Sequence, residues 1–433
     1  MEMSFADKIV SEFELAAKNL NGEKESSLFA MRKEALSSFQ KLGIPSNRHE
    51  EWRYTNIKTQ LPETLSVLSG NASIVEKNGF NNFKEIKATR LVFFNGVFSK
   101  ELSSIIEQTG VTVGSLKEHL HHNKPVTEKY FGVLVKKYEE HFSVLNTAFA
   151  TDGAFVHIMK GVTAEFPVFI IHLYNSPENF TQTRNLIVAE ESSKLNVIVD
   201  FQNLGSASFY NHVSEVFVGK NADVNVTKLQ TATANTTAVH TLEADVERDA
   251  KFTCTTISLE AKLIRNTTNV RLSGENSEAH LNGLYYAKGT SLIDNHILVD
   301  HLVPNCQSNQ LYKGILDEEG TGVFNGKIFV KQDAQKTNAF QSSKAILLSD
   351  EASINSKPQL EIFADDVKCS HGAAIGQLSD DEIFYLLARG IHKADAKSIL
   401  TYAFASQIIE TIAIDELKVY LDNKLKERLH LDF

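Results

Sequence analysis

Ser192-Ser193-Lys194-Leu195-Asn196-Val197 returns as Asn221-Ala222-Asp223-Val224-Asn225-Val226, as Asp249-Ala250-Lys251-Phe252-Thr253-Cys254 and as Asn276-Ser277-Glu278-Ala279-His280-Leu281. Each copy is a polar turn residue, a small residue, and then polar positions alternating with apolar ones. Shorter copies follow at Gly320-Thr321-Gly322-Val323 and Glu351-Ala352-Ser353-Ile354. Counted from Ser193 through Ala222, Ala250, Ser277, Thr321 and Ala352, the steps are 29, 28, 27, 44 and 31 residues. Alternation marks strands with one buried face. A step near 29 marks stacked coils, since a single coil cannot bury its inward residues alone. A β-sandwich also alternates, but it has no reason to repeat its turn signature at a fixed step. The 44-residue step reads as a half-coil added at Gly289-Thr290-Ser291-Leu292.

Outward from the repeat, residues 154–366 are dominated by Val, Ile, Thr, Phe and Asn, without helical periodicity. The expected fold is therefore mainly β: a right-handed parallel β-helix (β-solenoid) core over 151–368. An N-terminal, mainly helical region (1–150) leads into the first strands, and a C-terminal helical region covers 369–433. Within the first region, Ile9, Val10, Phe13 and Ala17, then Leu28, Met31, Ala35 and Phe39, recur near the helical period between Phe5 and His49. Residues 90–98 read as a strand broken by Asn95-Gly96. In the last region Ser379-Asp380-Asp381-Glu382 has the capping-box form, so a helix from Asp380 to Ala388 should end at Gly390. A second run places Ile399, Leu400, Ala403, Phe404, Ile408 and Ile412 on one apolar face, and a third, from Asp415 to Leu429, spaces Leu417, Leu421 and Leu425 by four.

Composition narrows the function. The 433 residues carry 44 Lys+Arg against 54 Asp+Glu, a formal charge of −10, which argues against nucleic acid as a partner. The longest apolar run, Phe166 to Leu173, is interrupted by Pro167 and too short to span a bilayer, so no membrane partner is expected. The first residues are acidic early and lack a secretory or transit character, which points to the cytoplasm. Three cysteines, Cys254, Cys306 and Cys369, form neither a disulfide framework nor a C-x-x-C knuckle.

Among the motifs, Gly320 to Ile328 fails as a phosphate loop, because Gly326-Lys327 is followed by Ile328 and a strand rather than a helix is expected. His49-Glu50-Glu51-Trp52-Arg53 lacks the second histidine of a zinc-protease helix. His119, His121 and His122 have no neighbouring ligand set, so both groups read as structural or solvated. The sharper constellation is Asp365-Asp366-Val367-Lys368-Cys369-Ser370-His371-Gly372. On an extended segment Cys369 and His371 share a face, where a thiolate and an imidazole could meet one soft or borderline metal ion, with Lys368 favouring the thiolate. Two ligands do not complete a site, and the others would have to come from a partner. The alternative is a buried cysteine beside a hydrogen-bonded histidine. A solenoid hydrolase or lyase would need paired carboxylates at one-coil spacing, and Asp294, Asp300 and Asp317 do not supply them.

The stretches Asn305 to Leu316, Gly322 to Val330, Gln332 to Gln341, and Lys357 to Ile362 running into Ala364 to Ala373 resemble the SufB/SufD family of the SUF iron–sulfur cluster assembly system. Arg48-His49-Glu50-Glu51-Trp52-Arg53-Tyr54-Thr55 resembles the family's early motif. Ser370-His371-Gly372-Ala373, preceded by Lys368-Cys369, is closer to the SufD branch than to SufB, although Ala374 stands where the family often has Thr. The resemblance implies a scaffold rather than an enzyme. It implies pairing through the solenoid with SufB as a heterodimer, and a SufC ATPase docked on the C-terminal helices from Asp380 to Ile412. Cys369 and His371 match family positions at the SufB interface, where a nascent iron–sulfur cluster is built; no cofactor is expected to stay bound to the chain alone. The open edge of the last strands should let the isolated chain form a homodimer.

Overall fold

Lys194, Asp223, Lys251, Glu278, Gln307, Asn338 and Lys368 open successive parallel strands of one sheet, at steps of 27 to 31 residues. The computed structural model describes residues 9–14, 27–61, 79–122, 124–138, 140–150, 152–175, 180–205, 207–231 and 235–431. They form a β-solenoid of about seven turns, with helices towards both termini. Each coil gives one strand to a ten-stranded sheet and one to a nine-stranded sheet.

The corner that repeats in the sequence has a physical cause. Ser192, Asn221, Asp249, Asn276, Asn305 and Lys336 all adopt φ between 57° and 63°, the left-handed turn that aims the chain into the next strand. Asn and Asp tolerate this conformation best because their side chains bond locally. Here they also bond between coils: Asn221 Nδ2 donates to Ser192 Oγ at 3.1 Å and Asn276 Nδ2 to Asp249 Oδ1 at 2.9 Å. Behind each turn stands a small buried residue, Ser193, Ala222, Ala250, Ser277, Cys306 or Thr337. The stack closes through main-chain bonds such as Lys251 N to Ala222 O at 2.8 Å and Glu278 N to Ala250 O at 2.9 Å. The small residues therefore do form one column in adjacent coils.

The expected half-coil is not there. Ser277 precedes a strand of the ten-stranded sheet, whereas Thr321 opens the strand Thr321–Val330 of the nine-stranded sheet. The successor of Ser277 is Cys306, 29 residues on, since a buried thiol fits the corner as well as a hydroxyl does. The 44-residue step jumped from one sheet to the other.

At the N-terminal end the sheets finish in antiparallel strands. Thr89–Phe94 pairs in parallel with Val168–Tyr174 and turns back at Asn95 (φ 47°) and Gly96 (φ 82°) to Val97–Phe98. Two positive φ values in sequence make the Asn-Gly turn a type I′ hairpin. Val111–Ser115 closes the other sheet against Ala154–Ile158. The helices Ser27–Leu42 and His141–Phe149 cover the outer face of the nine-stranded sheet with Phe39, Phe142, Leu145 and Phe149. The buried stripe of Ser27–Leu42 runs through Phe29, Arg32, Leu36 and Phe39, with Leu28, Met31 and Ala35 on its flank; Phe5 and Ala17 lie outside the described residues.

The C-terminal helices Asp380–Leu387, Lys393–Ile409 and Asp415–Arg428 follow the last strand. Ser379 Oγ accepts from Glu382 N, and Gly390 has φ 84°, as the capping box and terminal glycine require. Leu417, Leu421 and Leu425 are buried against the outer face of the ten-stranded sheet together with Ala405, Ile408, Ile409 and Ile412. Ala403, expected on the apolar face, is exposed, because the buried stripe of Lys393–Ile409 runs through Thr401, Ala405 and Ile408, with Ile412 buried just beyond the helix.

Candidate functional site at the open end of the solenoid

The last strand of each sheet, Ser353–Ile362 and Lys368–Gly376, has a partner on one side only. Pro358 sits in the first of them, at the kind of edge position where a missing N–H costs no ladder bond. Lys368 N donates to Thr337 O at 2.8 Å. Alternate residues of a strand point their main-chain groups to opposite sides, so the N–H groups of Cys369, His371 and Ala373 face the unpaired side. Among the described residues no further coil covers this end, and nearly the whole of Lys368–Gly376 is exposed.

Register fixes the direction of the two candidate ligands. Cys369 aligns with Ala339 and His371 with Gln341, and both of those neighbours are buried inside the solenoid. Cys369 and His371 therefore share the inward face, as their spacing requires. Cys369 is half-buried against Ala339, Ala364 and Val367, while His371 is exposed. Burial pushes the Cys369 thiol up, partly offset by a main-chain bond from Ala339. The expected help from Lys368 is corrected by the pleat: Lys368 stands on the opposite face, exposed to solvent. Among the described residues, no three His, Cys, Asp or Glu side chains lie together in a way that could hold a metal ion. Inward Ile375 is 48% exposed, and Phe340, Ile362 and Phe363 add apolar surface around the same end.

A second exposed apolar patch was not singled out by the sequence. Helix Asp380–Leu387 buries Ile383 but leaves Phe384 at 70% and Tyr385 at 57% exposure. The available signal was the run Ile383-Phe384-Tyr385-Leu386-Leu387, apolar around the whole helix, which one buried face cannot satisfy.

The early motif is structural. Glu51 Oε2 accepts from Asn325 Nδ2 at 3.0 Å and lies 3.1 Å from His296 Nδ1, and Thr55 Oγ1 donates to Asp294 Oδ2 at 2.5 Å. Arg265 Nη1 donates to Asp294 Oδ2 at 2.7 Å and to Glu51 O at 2.6 Å, with its guanidinium 4.2 Å from the Trp52 ring. Burial alone would raise the Asp294 carboxyl; Arg265, His296 and Thr55 more than offset it and hold it well below the usual range. Asp300 accepts from Tyr138 Oη at 2.6 Å. These acids are thus tied into the fold. Gly320 to Ile328 enters a strand, and the His119 ring stacks on Phe155 at 4.3 Å, while the side chains of His121 and His122 lie outside the described set.

No helix among the described residues is long and apolar enough to cross a membrane. Residues 172–404 match the family described as SUF system FeS cluster assembly, SufBD core domain, and residues 3–170 match the SufBD protein N-terminal region. An iron-sulfur cluster assembly SufBD family protein of Synechocystis is 32% identical, over 92% of this chain and 90% of its own length. The iron-sulfur cluster assembly protein SufD of Escherichia coli is 28% identical over 91% of each chain, and SufD of Bacillus subtilis 26% identical over 76% of each. Two of these relatives are named SufD, and the chain itself belongs to the SufB/SufD family of the SUF iron–sulfur cluster assembly system.

Proposed function

We propose that this chain is a scaffold whose open solenoid end pairs with a SufB-type subunit, and that a nascent iron–sulfur cluster is built as cargo at that junction. The observation that carries the reading is the position of Cys369 and His371: same face, last strand, beside main-chain groups with no partner strand. A half-buried thiol and an exposed imidazole make half of a four-ligand set. A partner strand added to the edge would bring the rest and cover Ile375, Phe340 and Phe363. Ionisation of the Cys369 thiol, disfavoured in the free chain, would then be driven by the bound iron.

The exposed Phe384 and Tyr385 give the C-terminal helices a docking face for a SufC-type ATPase, separate from the solenoid end. Without SufB, a second copy of this chain would occupy the bare edge as a homodimer. The test is anaerobic co-purification with the SufB and SufC subunits, followed by iron and sulfide analysis. Phe384→Ala with Tyr385→Ala should abolish capture of the ATPase while leaving SufB bound. Capture that survives this double change would remove the helix from the docking surface.

A further inference from the structure

On the outer face of the ten-stranded sheet, Asp200, Leu229, Ile257, Leu284 and Lys313 form one column in register. Its three middle members are buried aliphatics packed with Leu417, Leu421, Leu425 and Ile408 of the C-terminal helices. The two ends are ionisable and equally hidden, with Asp200 at 1% and Lys313 at 4% exposure. Lys313 Nζ donates to the Phe404 carbonyl at 2.6 Å and lies 4.4 Å from the Phe404 ring centre. Asp200 Oδ2 accepts from Gln202 Nε2 at 2.6 Å, and its Oδ1 has no hydrogen-bond partner among the described residues. Four strand spacings of about 4.8 Å put the two groups about 19 Å apart, too far to neutralise each other.

Among the described residues, the surroundings offer no other ionic partner. Around Lys313, the next strand brings Lys344 in register, the preceding strand brings Tyr286, and the overlying residues 400–408 carry only Tyr402, which donates to Asp422. Around Asp200 stand Tyr420 of helix Asp415–Arg428, Tyr210 across the sheet, and the Asn81–Gln202 amide pair. A buried charge without a counter-charge weakens the contact that hides it.

We propose that the C-terminal helical layer is a releasable cover: an aliphatic floor holds it, and the isolated Asp200 and Lys313 beneath its two ends keep its docking marginal. A partner bound to the layer can then lift it with little work, which rests on the reading of Phe384 and Tyr385 as the ATPase-docking face. Burial pushes Asp200 up to about 7 and Lys313 down to about 8, so only between those values are both groups mostly charged at once. Below about pH 7 the covered Asp200 takes up a proton that the uncovered one does not hold, and docking tightens. Above about pH 8 the covered Lys313 gives up a proton that the uncovered one keeps, and docking tightens again.

Amide hydrogen exchange on the full chain, corrected for its intrinsic pH dependence, reads this directly. Protection of residues 400–408 and 417–425 should be lowest between about pH 7 and 8 and rise roughly three- to tenfold at pH 6 and at pH 9.5. Asp200→Asn should erase the acid rise, Lys313→Met the alkaline rise, and the double variant should be better protected than wild type at pH 7.5. A flat profile, or a double variant with weaker protection, overturns the proposal. ATPase capture is scored separately on the Phe384→Ala, Tyr385→Ala chain. Capture that persists there with the pH profile intact removes the docking assignment and leaves the releasable cover standing.

Discussion

Cys254 and His371 stand in the same inward column of the ten-stranded sheet, four strands apart, with Leu281, Gln310 and Gln341 between them. The column begins apolar with Val197 and Val226 and becomes polar towards the open end, where Gln341 Nε2 donates to Gln310 Oε1 at 2.8 Å. One geometric position is thus core at Cys254 and surface at His371, because among the described residues no coil follows Lys368–Gly376 to bury His371. Burial pushes the Cys254 thiol up, opposed by Lys228.

That contrast sets the first prediction. Cys254→Ala leaves a small cavity and should cost about 1–2 kcal/mol. Cys369→Ala should cost under about 1 kcal/mol and His371→Ala about 0.5 kcal/mol or less. Urea midpoints of the three variants, at unchanged slope, make the comparison. A larger loss for either end-strand variant than for Cys254→Ala would mark Cys369 and His371 as packing.

The clamp between the early motif and the solenoid predicts a large effect. Asp294→Asn leaves the Arg265 guanidinium, 2% exposed, without its counter-charge and should cost about 3–5 kcal/mol. Replacing both partners, Arg265→Met with Asp294→Leu, should recover most of that loss. The same urea series reads both, and a double variant as weak as the single one would contradict the account.

Acid should unfold the solenoid from inside. Burial pushes His172 down to about 3 and His301 down to about 4, so both stay neutral in the fold. The unfolded chain binds a proton on each below about pH 6.5. Stability is therefore complete above about 6.5 and falls as the pH drops towards 4 for His301 and 3 for His172. His172 is stacked between Phe93 at 5.1 Å and Phe201 at 5.2 Å. His172→Phe should fill the same stack and flatten the acid limb by a few kcal/mol between pH 6.5 and 4. An unchanged limb in the denaturation profile would show that His172 already takes up a proton in the fold.

The edge predicts association. Ala373→Pro removes an N–H on the unpaired side of Lys368–Gly376 and leaves the ladder to Asn338–Leu347 intact. Light scattering at tens of micromolar should show a dimer for the parent chain and a monomer for the variant, with little change in melting temperature. A parent chain that stays monomeric removes the edge from the homodimer.

The repeat was legible because the corner constrains two residue types at once, a left-handed position and a small buried one behind it. Legibility failed at Cys306 and Thr337, where the corner is filled by a thiol and by a Thr behind a left-handed Lys336. Alternation put Cys369 and His371 on one face, but that the face lies at an open end depends on how many coils precede it. Lys368 stands away from the Cys369 thiol because neighbours in sequence are opposites in a strand. Phe384 and Tyr385 are not legible in this way, since helical periodicity marks the buried face and says nothing of apolar residues left over on the other.

The most direct measurement is iron and sulfide content of the anaerobically reconstituted complex with SufB and SufC subunits, carrying Cys369→Ala or His371→Ala. The account predicts that both variants fold, melt within a few degrees of the parent and still assemble with their partners, while the cluster formed per complex falls at least severalfold. Parent-level iron and sulfide in variants that melt early would contradict it.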